Sequence, residues 1–436
     1  KYPKYKPSGV EWIGEIPEGW EVKLAKWLFQ ERNEKNHPDE RLLASTQNKG
    51  VIPKDEMEYR TVIALKNFES FKLVKENDFV ISLRSFEGGF EYSEYQGIIS
   101  PAYTVFCRNI ITGDQKYWKY LFKSFTFLVY VRSLVKGIRD GLNINFNDFK
   151  YSSLPLPPPA EQTTIAKYLD DKTAKIDSLI EKKKKLIELY KEERTAVINH
   201  YVLGQHLIDN GQTSIDNGQL TMDNSQLSIY NYKLPKGWQV KKLKYVASKV
   251  QTGSTPPSNK DEYYIEEVNW FTPSDFSDNL LLKNSKRKIS QLAINDEVVK
   301  LFPKNSVLIV GIGATLGKVG YISEEASSNQ QINSISFDTL EKAKYYANFF
   351  FANQKNIVSL ANAATLAILN QAQTKDIFLP IPSSKECGII VQHIEAETKR
   401  IDSKIAKIEK EIELLQEYRT ALIAEVVTGK IKVIDN

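Results

Sequence analysis

The apolar positions of the C-terminal stretch fall at helical spacing. Ile394, Ile401, Ile405, Ile408, Ile412, Leu415, Leu422 and Val426 are separated by threes, fours and sevens. That spacing places them on one stripe of a helix that packs along another helix. No Pro or Gly interrupts residues 389–428, and Gly429 stands where a left-handed C-cap belongs. A second stripe, Leu169, Ile176, Ile180, Ile187, Tyr190, Val197 and Tyr201, predicts a helix from about Ala160 to Leu203, broken only by Lys183. At 1.5 Å per residue each helix would be ~60 Å long. Two such stripes bury most simply against each other, antiparallel.

The two helices are copies of one pattern. Pro380-Ile381-Pro382, Glu386, Ile390, Thr398, Ile401-Asp402, Arg419-Thr420-Ala421 and Gly429 have counterparts 225 positions upstream in Pro155-Leu156-Pro157, Glu161, Ile165, Thr173, Ile176-Asp177, Arg194-Thr195-Ala196 and Gly204. Repetition at a fixed offset is read before any local pattern, because it sets the architecture. Two long units make this a duplication rather than a solenoid. A fainter echo precedes each helix: Pro235-Lys236-Gly237-Trp238 repeats Pro17-Glu18-Gly19-Trp20.

Between these landmarks lie two globular segments. In the first, strand-like runs (Asp78 to Leu83, Tyr103 to Phe106) alternate with turn signals at Gly50, Gly88-Gly89 and Gly97, and a helix-like stretch runs from Tyr117 to Val135. In the second, Phe302 to Val310 answers Lys75 to Ile81, and helix-like Ala343 to Leu360 answers Tyr117 to Val135. The expected fold class is α+β: two mixed α/β domains in a pseudo-twofold arrangement, separated by two long antiparallel helices forming a coiled-coil spacer. The expected boundaries are a first domain over 1–154, a stiff extended Pro hinge and long helix over 155–204, a connector over 205–234, a second domain over 235–379, and a hinge and long helix over 380–436. The connector repeats Asp-Asn-Gly/Ser-Gln every seven residues from Asp209. Asn-Gly and Asn-Ser are turn formers, so it reads as a flexible linker rather than a coiled coil. Similar frames with dissimilar fillings suggest one scaffold carrying two different reading surfaces.

Composition narrows the partner. With 42% hydrophobic and 26% charged residues the chain is of ordinary globular composition. It has no apolar run of eighteen residues and no apolar signal core at its start, so neither a membrane span nor a secretory leader is expected. Two cysteines, Cys107 and Cys387, fit a reducing cytoplasm better than a disulfide framework. Positive charge gathers in the globular segments: residues 1–150 carry 23 basic against 20 acidic, and residues 230–380 carry 18 against 13. This favours a polyanionic partner.

Tests for catalytic motifs fail. Gly311-Ile312-Gly313-Ala314-Thr315-Leu316-Gly317-Lys318 lacks phosphate-loop spacing and is followed by Val319. It reads instead as a strand-to-strand glycine loop. Neither Pro-Pro step follows Asn or Asp, as a base-methylating tetrapeptide requires. His37, His200, His206 and His393 are scattered along the sequence, with no zinc-site spacing to cysteines. The basic run Lys182 to Lys185 reads as a solvated helix face. What remains is recognition chemistry, short polar donors and acceptors on loops framed by basic residues. The candidates are Thr46, Asn48, Lys49, Arg84 and Ser85 in the first segment. In the second they are Thr252, Ser254, Thr255, Thr272, Ser274, Lys318, Asn329 and Gln330.

At this point the residues carry a resemblance. The hinge followed by Glu161-Gln162, Ile165, Tyr168-Leu169, Thr173 and Ile176-Asp177 resembles the central conserved region of type I restriction-modification specificity subunits. Pro380–Gly429 resembles their distal conserved region, with Cys387 where Gln is expected. Tyr5 to Pro17 is similar to their usual opening, and Gly97 to Tyr103 and Trp270 to Asp275 are similar to segments of their target-recognition domains. The resemblance implies two target-recognition domains, each reading half of a split double-stranded DNA site. It implies helices that set the spacing and dock two modification (methyltransferase) subunits, with restriction subunits recruited through them. S-adenosylmethionine, ATP and Mg are then expected on the partner subunits, and no cofactor or catalytic residue on this chain. The competing reading is a coiled-coil scaffold whose globular ends bind proteins.

Overall fold

The computed structural model describes residues 1–47, 49–57, 67–82, 88–109, 113–134, 144–209, 214–215, 234–361 and 367–433. Its contacts divide the chain into two units, Lys1–Lys184 with Glu409–Asn436, and Lys185–Ile408.

In the first unit, β1 (Glu21–Leu24) leads to β2 (Phe29–Arg32) and the hairpin β3 (Leu43–Thr46) and β4 (Gly50–Pro53). After these come β5 (Phe79–Ile81), β6 (Glu91–Tyr92), β7 (Thr104–Arg108), α1 (Gln115–Lys123), α2 (Phe125–Ser133), β8 (Ser153–Leu156) and the start of α3 (Pro159–Val202). A four-stranded antiparallel sheet runs β2-β7-β5-β6. Its helix-facing side is almost wholly aromatic: Phe29, Phe79, Phe90, Phe106, Phe122, Phe127 and Phe149 interlock edge-to-face and tilted around Trp118. Rings in such arrangements add to simple area burial.

The second unit repeats the frame. Its elements are β9 (Gln239–Lys242), β10 (Lys249–Thr252), β11 (Val268–Phe271), β12 (Ser306–Val310), β13 (Val319–Ile322), β14 (Ser327–Ser328), β15 (Ile332–Ser336), α4 (Leu340–Ala352), α5 (Gln354–Ser359), β16 (Phe378–Ile381) and α6 (Ser384–Val427). Its sheet runs β10-β15-β12-β13, the same order element for element. Here the packing is aliphatic, with Val307, Ile309 and Ile335 under Tyr345, Tyr346, Phe349 and Phe350.

Three expectations need correction. The helix expected over Tyr117–Val135 is two helices across its described residues 117–134, because Ser124 leaves the helical region, donates its hydroxyl to Leu121 O (2.7 Å) and caps Phe127. Ala343–Leu360 breaks likewise at Asn353, whose amide donates to Phe349 O (2.9 Å). Each expected Pro hinge begins inside a strand: β8, which ends at Leu156, pairs with β1, and β16, which ends at Ile381, pairs with β9, both antiparallel. Proline is tolerated on such two-stranded ribbons because one side needs no N–H.

Each long helix contributes to both units, and within each unit parts of the two run antiparallel. In the first, Ile176 and Ile180 share a core with Leu422 and Val426, while Ile412 and Leu415 are half-buried against it. Lys183, the gap in the stripe, is bonded to Glu411, whereas Lys182, Lys184 and Lys185 are exposed. In the second, Ile187, Ile401 and Ile408 are buried, Ile405 and Tyr190 half-buried, with Lys404 over the Tyr190 ring at 4.9 Å. Ile198, rather than the neighbouring Val197, is fully buried. The duplicated Arg and Asp pair crosswise: Arg419 with Asp177 (2.9 Å) in one unit and Arg194 with Asp402 (3.0 Å) in the other.

One device recurs in both units. Trp20 donates its indole N–H to Glu161 (2.9 Å), in the first turn of α3. The same indole abuts Gly429, the left-handed residue that ends α6 (φ +74°), where a Cβ would lie 2.5 Å from Pro17. In the second unit Trp238 donates to Glu386 (3.1 Å), in the first turn of α6, and abuts Gly204 (φ +69°), where a Cβ would lie 2.4 Å from Pro235. Each tryptophan therefore joins the start of one helix to the end of the other. Trp20→Phe keeps the ring packing but removes the donor, and Glu161 retains only the Tyr2 hydroxyl. The expected cost is ~1–3 kcal/mol in denaturant unfolding. Trp238→Phe should behave alike, and Trp27→Phe, at a 65% exposed ring, should stay within ~0.5 kcal/mol of the native protein.

Candidate nucleic-acid interface

In the second unit the candidate loops meet at one end of the sheet. Strand β10 ends at Thr252, whose hydroxyl donates to Asn333 Oδ1 (2.7 Å). The buried Asn333 amide in turn donates to Leu369 O (2.8 Å) and Thr374 Oγ1 (3.0 Å). Gly253 follows because nothing larger fits: a Cβ would lie 2.3 Å from Asn329 O. Ser254 N–H donates to Ser328 O (2.9 Å), and its hydroxyl accepts from Lys300 N (3.2 Å). Exposed Thr255 donates to Gln330. Strand β11 leads into Thr272, which caps a short 3-10 turn through Asp275 (2.7 Å) and holds Ser274 at 2.9 Å. Asn329 ties itself to Phe271 O (3.0 Å) through its N–H and to Gln331 Oε1 (2.9 Å) through its amide.

The loop 311–318 joins β12 to β13, a strand-to-strand connection. Gly311 N–H donates to Gln331 O (2.7 Å), which docks the loop beside Asn329-Gln330. Lys318 Nζ lies 3.5 Å from Phe276 O, next to the Thr272 turn. The structure therefore gathers Thr252, Ser254, Thr255, Thr272, Ser274, Lys318, Asn329 and Gln330 on contiguous segments. Several of their polar groups are engaged in holding the loops. Ser274, Thr255 and Gln330 are the exposed ones.

A basic stretch outside the sequence candidates borders this rim. Lys286 Nζ donates to Ser274 O (2.9 Å) and its N–H to Asp275 (2.8 Å), while exposed Arg287 lies over the Trp270 ring at 5.2 Å. The signal was present: Lys283, Lys286, Arg287 and Lys288 put four cations in six residues.

In the first unit the candidates sit on the β3–β4 hairpin. Thr46 closes its turn, donating to Gly50 O (2.8 Å) and accepting from Lys49 N (3.1 Å). Asn48, Arg84 and Ser85 lie outside the described residues. Behind the hairpin is a cavity of about 560 Å³ lined by Gln47, Lys49, Gly88, Lys119, Lys123 and Arg419, among others. At its edge Lys123 binds Glu91 (2.5 Å), a carboxylate only 1% exposed. Burial pushes the Glu91 carboxyl up to about 7, against the pull of Lys123, and pushes the Lys123 ammonium down.

The histidines are less scattered in space than in sequence. His200, His206 and His393 gather around Tyr201, with the His393 ring stacked on it at 5.5 Å. Among the described residues no group of three or more His, Cys, Asp or Glu side chains is arranged to hold a metal ion, and no helix is long and apolar enough to cross a membrane.

Known proteins provide a comparison for this geometry. A family model described as "Type I restriction modification DNA specificity domain" matches residues 17–189 and 235–414. The MjaIX type I restriction enzyme specificity subunit of Methanocaldococcus jannaschii is 23% identical, over 97% of this chain and 95% of that protein. The HindI specificity subunit of Haemophilus influenzae is 25% identical over 45% of this chain and 42% of its own length. Among solved structures, a chain from a study of complex assembly and conformational transition of the type I R-M system superposes with a TM-score of 0.63 at 16% identity, covering 95% of this chain and 99% of that one. The HsdS subunit of Thermoanaerobacter tengcongensis superposes at 0.51 and 16% identity, covering 95% and 98%. At these identities the structural likeness concerns the fold.

The Glu91 carboxyl titrates near 4.5 in an unfolded chain and near 7 in the folded one. Between those values the folded state holds more protons than the unfolded, so stability falls as pH rises from about 5 to 7. Chemical unfolding at several pH values should show this slope in the native protein and a flatter one in Glu91→Gln.

Proposed function

This chain belongs to the type I restriction-modification DNA specificity family, and we propose that its two globular halves each read one half of a bipartite double-stranded DNA site. The observation that carries this reading is the repeated sheet order joined to unlike loops. A frame used twice with different polar rims suits a site whose two halves differ in sequence. In the second half, Ser274, Thr255 and Gln330 offer exposed donors and acceptors of the kind that read base edges, and Lys286, Arg287 and Lys318 lie beside them as phosphate ligands. In the first half, the β3–β4 hairpin with Lys49 takes the same part.

The duplicated helices set the number of base pairs between the half-sites. They also offer each of two modification subunits the same surface, because their sequence repeats. Methyl transfer, and through restriction subunits cleavage, then belong to those partners, which would carry S-adenosylmethionine, ATP and Mg. This chain supplies recognition and no reacting group.

Two measurements test the reading. Duplex affinity should fall linearly on a log–log plot against salt, as counterions are released from neutralised phosphates. A flat salt response with every duplex would leave a protein-binding scaffold instead. Deleting seven residues from the middle of both α3 and α6 shortens each by ~10 Å. That should change the gap between half-sites by about three base pairs, at ~3.4 Å each, while leaving the bases read at each half unchanged. Methylation mapping with the modification subunits present reads both quantities.

A further inference from the structure

We propose that Lys123 is a positioning residue for base reading by the first half, holding the β3–β4 hairpin at its working height through backbone carbonyls. The inference rests on the DNA-reading proposal and names the part that sets specificity in that half.

The β3–β4 hairpin packs into the protein at its base. Its base is anchored by Leu43 and Val51, both in a small core, but the turn at Gln47 stands over the 560 Å³ cavity. Across that space comes the side chain of Lys123. Its ammonium lies 3.0 Å from Gln47 O, 2.8 Å from Gly88 O and 2.5 Å from Glu91 Oε1. An ammonium has three N–H donors, and here three acceptors match them. Two of the three are main-chain carbonyls, so the contact fixes the path of the chain whatever side chain stands at the tip.

The other end of the tether is rigid. Lys123 is the last residue of α1, whose Tyr117, Trp118, Leu121 and Phe122 are buried, and Ser124 stops the helix directly after it. A cation is favoured at a helix C-terminus. The segment at Gly88-Gly89 runs against this same turn: a Cβ on Gly89 would lie 2.1 Å from Phe122 O, and one on Gly88 would lie 2.9 Å from Gln47 Cγ. Hairpin, Gly88 segment and helix end therefore meet at one ammonium. A hairpin moved by 1 Å presents its donors to the wrong depth of the groove.

The second half supports its rim differently, through the neutral Asn333 amide. Loss of Lys123 should therefore disturb one half-site only, and the other serves as an internal control. A purely structural role, neutralising buried Glu91, makes a different forecast. Replacing both charges with apolar residues of similar volume should then restore everything, because buried pairs exchanged whole are often neutral for stability.

The test selects bound duplexes from a randomised pool with the full chain and sequences them, for the native protein, Lys123→Met and the double variant Glu91→Leu/Lys123→Met. Native protein should enrich two half-site motifs. Both variants should keep one motif intact and lose about tenfold in base preference per position at the other, the ordinary worth of one base pair. Should Lys123→Met fail to fold, the double variant decides alone. Motifs as sharp as native in the double variant, or equal blurring of both, would overturn the assignment. A native protein that enriches no motif would instead overturn the DNA-reading proposal itself.

Discussion

A buried indole must place its N–H, and a helix must end somewhere; in this protein each unit solves both problems with one tryptophan. Trp20 and Trp238 each donate to a glutamate in the first turn of one long helix and pack against the left-handed glycine that ends the other. The glutamate is well placed for a second reason, since a carboxylate near a helix N-terminus meets a favourable dipole. Tyrosines reinforce the joint. Tyr117 Oη lies 2.9 Å from Val427 O and 3.1 Å from Pro155 O; in the second unit Tyr345 serves Val202 O and Tyr346 serves Pro380 O. Loose helix ends are thereby tied to the sheets that carry the loops.

Duplication explains why the joint comes in pairs, and divergence explains what was free to change. The crossed pairs Asp177–Arg419 and Asp402–Arg194 keep corresponding residues in corresponding places. Partly exposed ion pairs of this kind contribute little to stability. Their value is register, which fixes which stretch of one helix lies beside which stretch of the other. The cores had no such constraint. One half fills the space under its sheet with phenylalanines, the other with valines and isoleucines under tyrosines. A core tolerates such exchange as long as total volume and patterning hold.

Much of the frame was legible because it is periodic. The helical stripes, the glycine caps and the repeat offset are long-range regularities, and α3 and α6 follow them to within a few residues. What escaped was local or distant. Ser124 and Asn353 break helices by hydrogen-bonding their own backbone, which apolar runs on both sides conceal. The Pro-x-Pro segments looked like hinges because four residues are too few to show a strand alternation. Tyr201 and His393 stack through antiparallel register alone, being 192 positions apart. In the second half the polar loops singled out by residue type lie together at one end of the sheet, and the run Lys283 to Lys288, equally plain in residue type, lies beside them. Lys123 was invisible in principle, since its partner Gln47 is 76 positions away and is met through a carbonyl that every residue has.

The two halves also differ in what lies behind their candidate loops, and that difference has a physical consequence. Asn333 has no charge to lose, so its bonds to Thr252, Leu369 and Thr374 are indifferent to pH. Glu91 and Lys123 are both penalised by burial, and each draws the other back toward its ionised form. A buried ion pair seldom adds stability over an apolar pair of equal volume. Its advantage lies in geometry, because an ammonium can hold two carbonyls and a carboxylate at once, while a methyl group holds none. The half that rests its hairpin over a cavity is the half that uses a charge, and the half whose loops are laced by backbone bonds does without one.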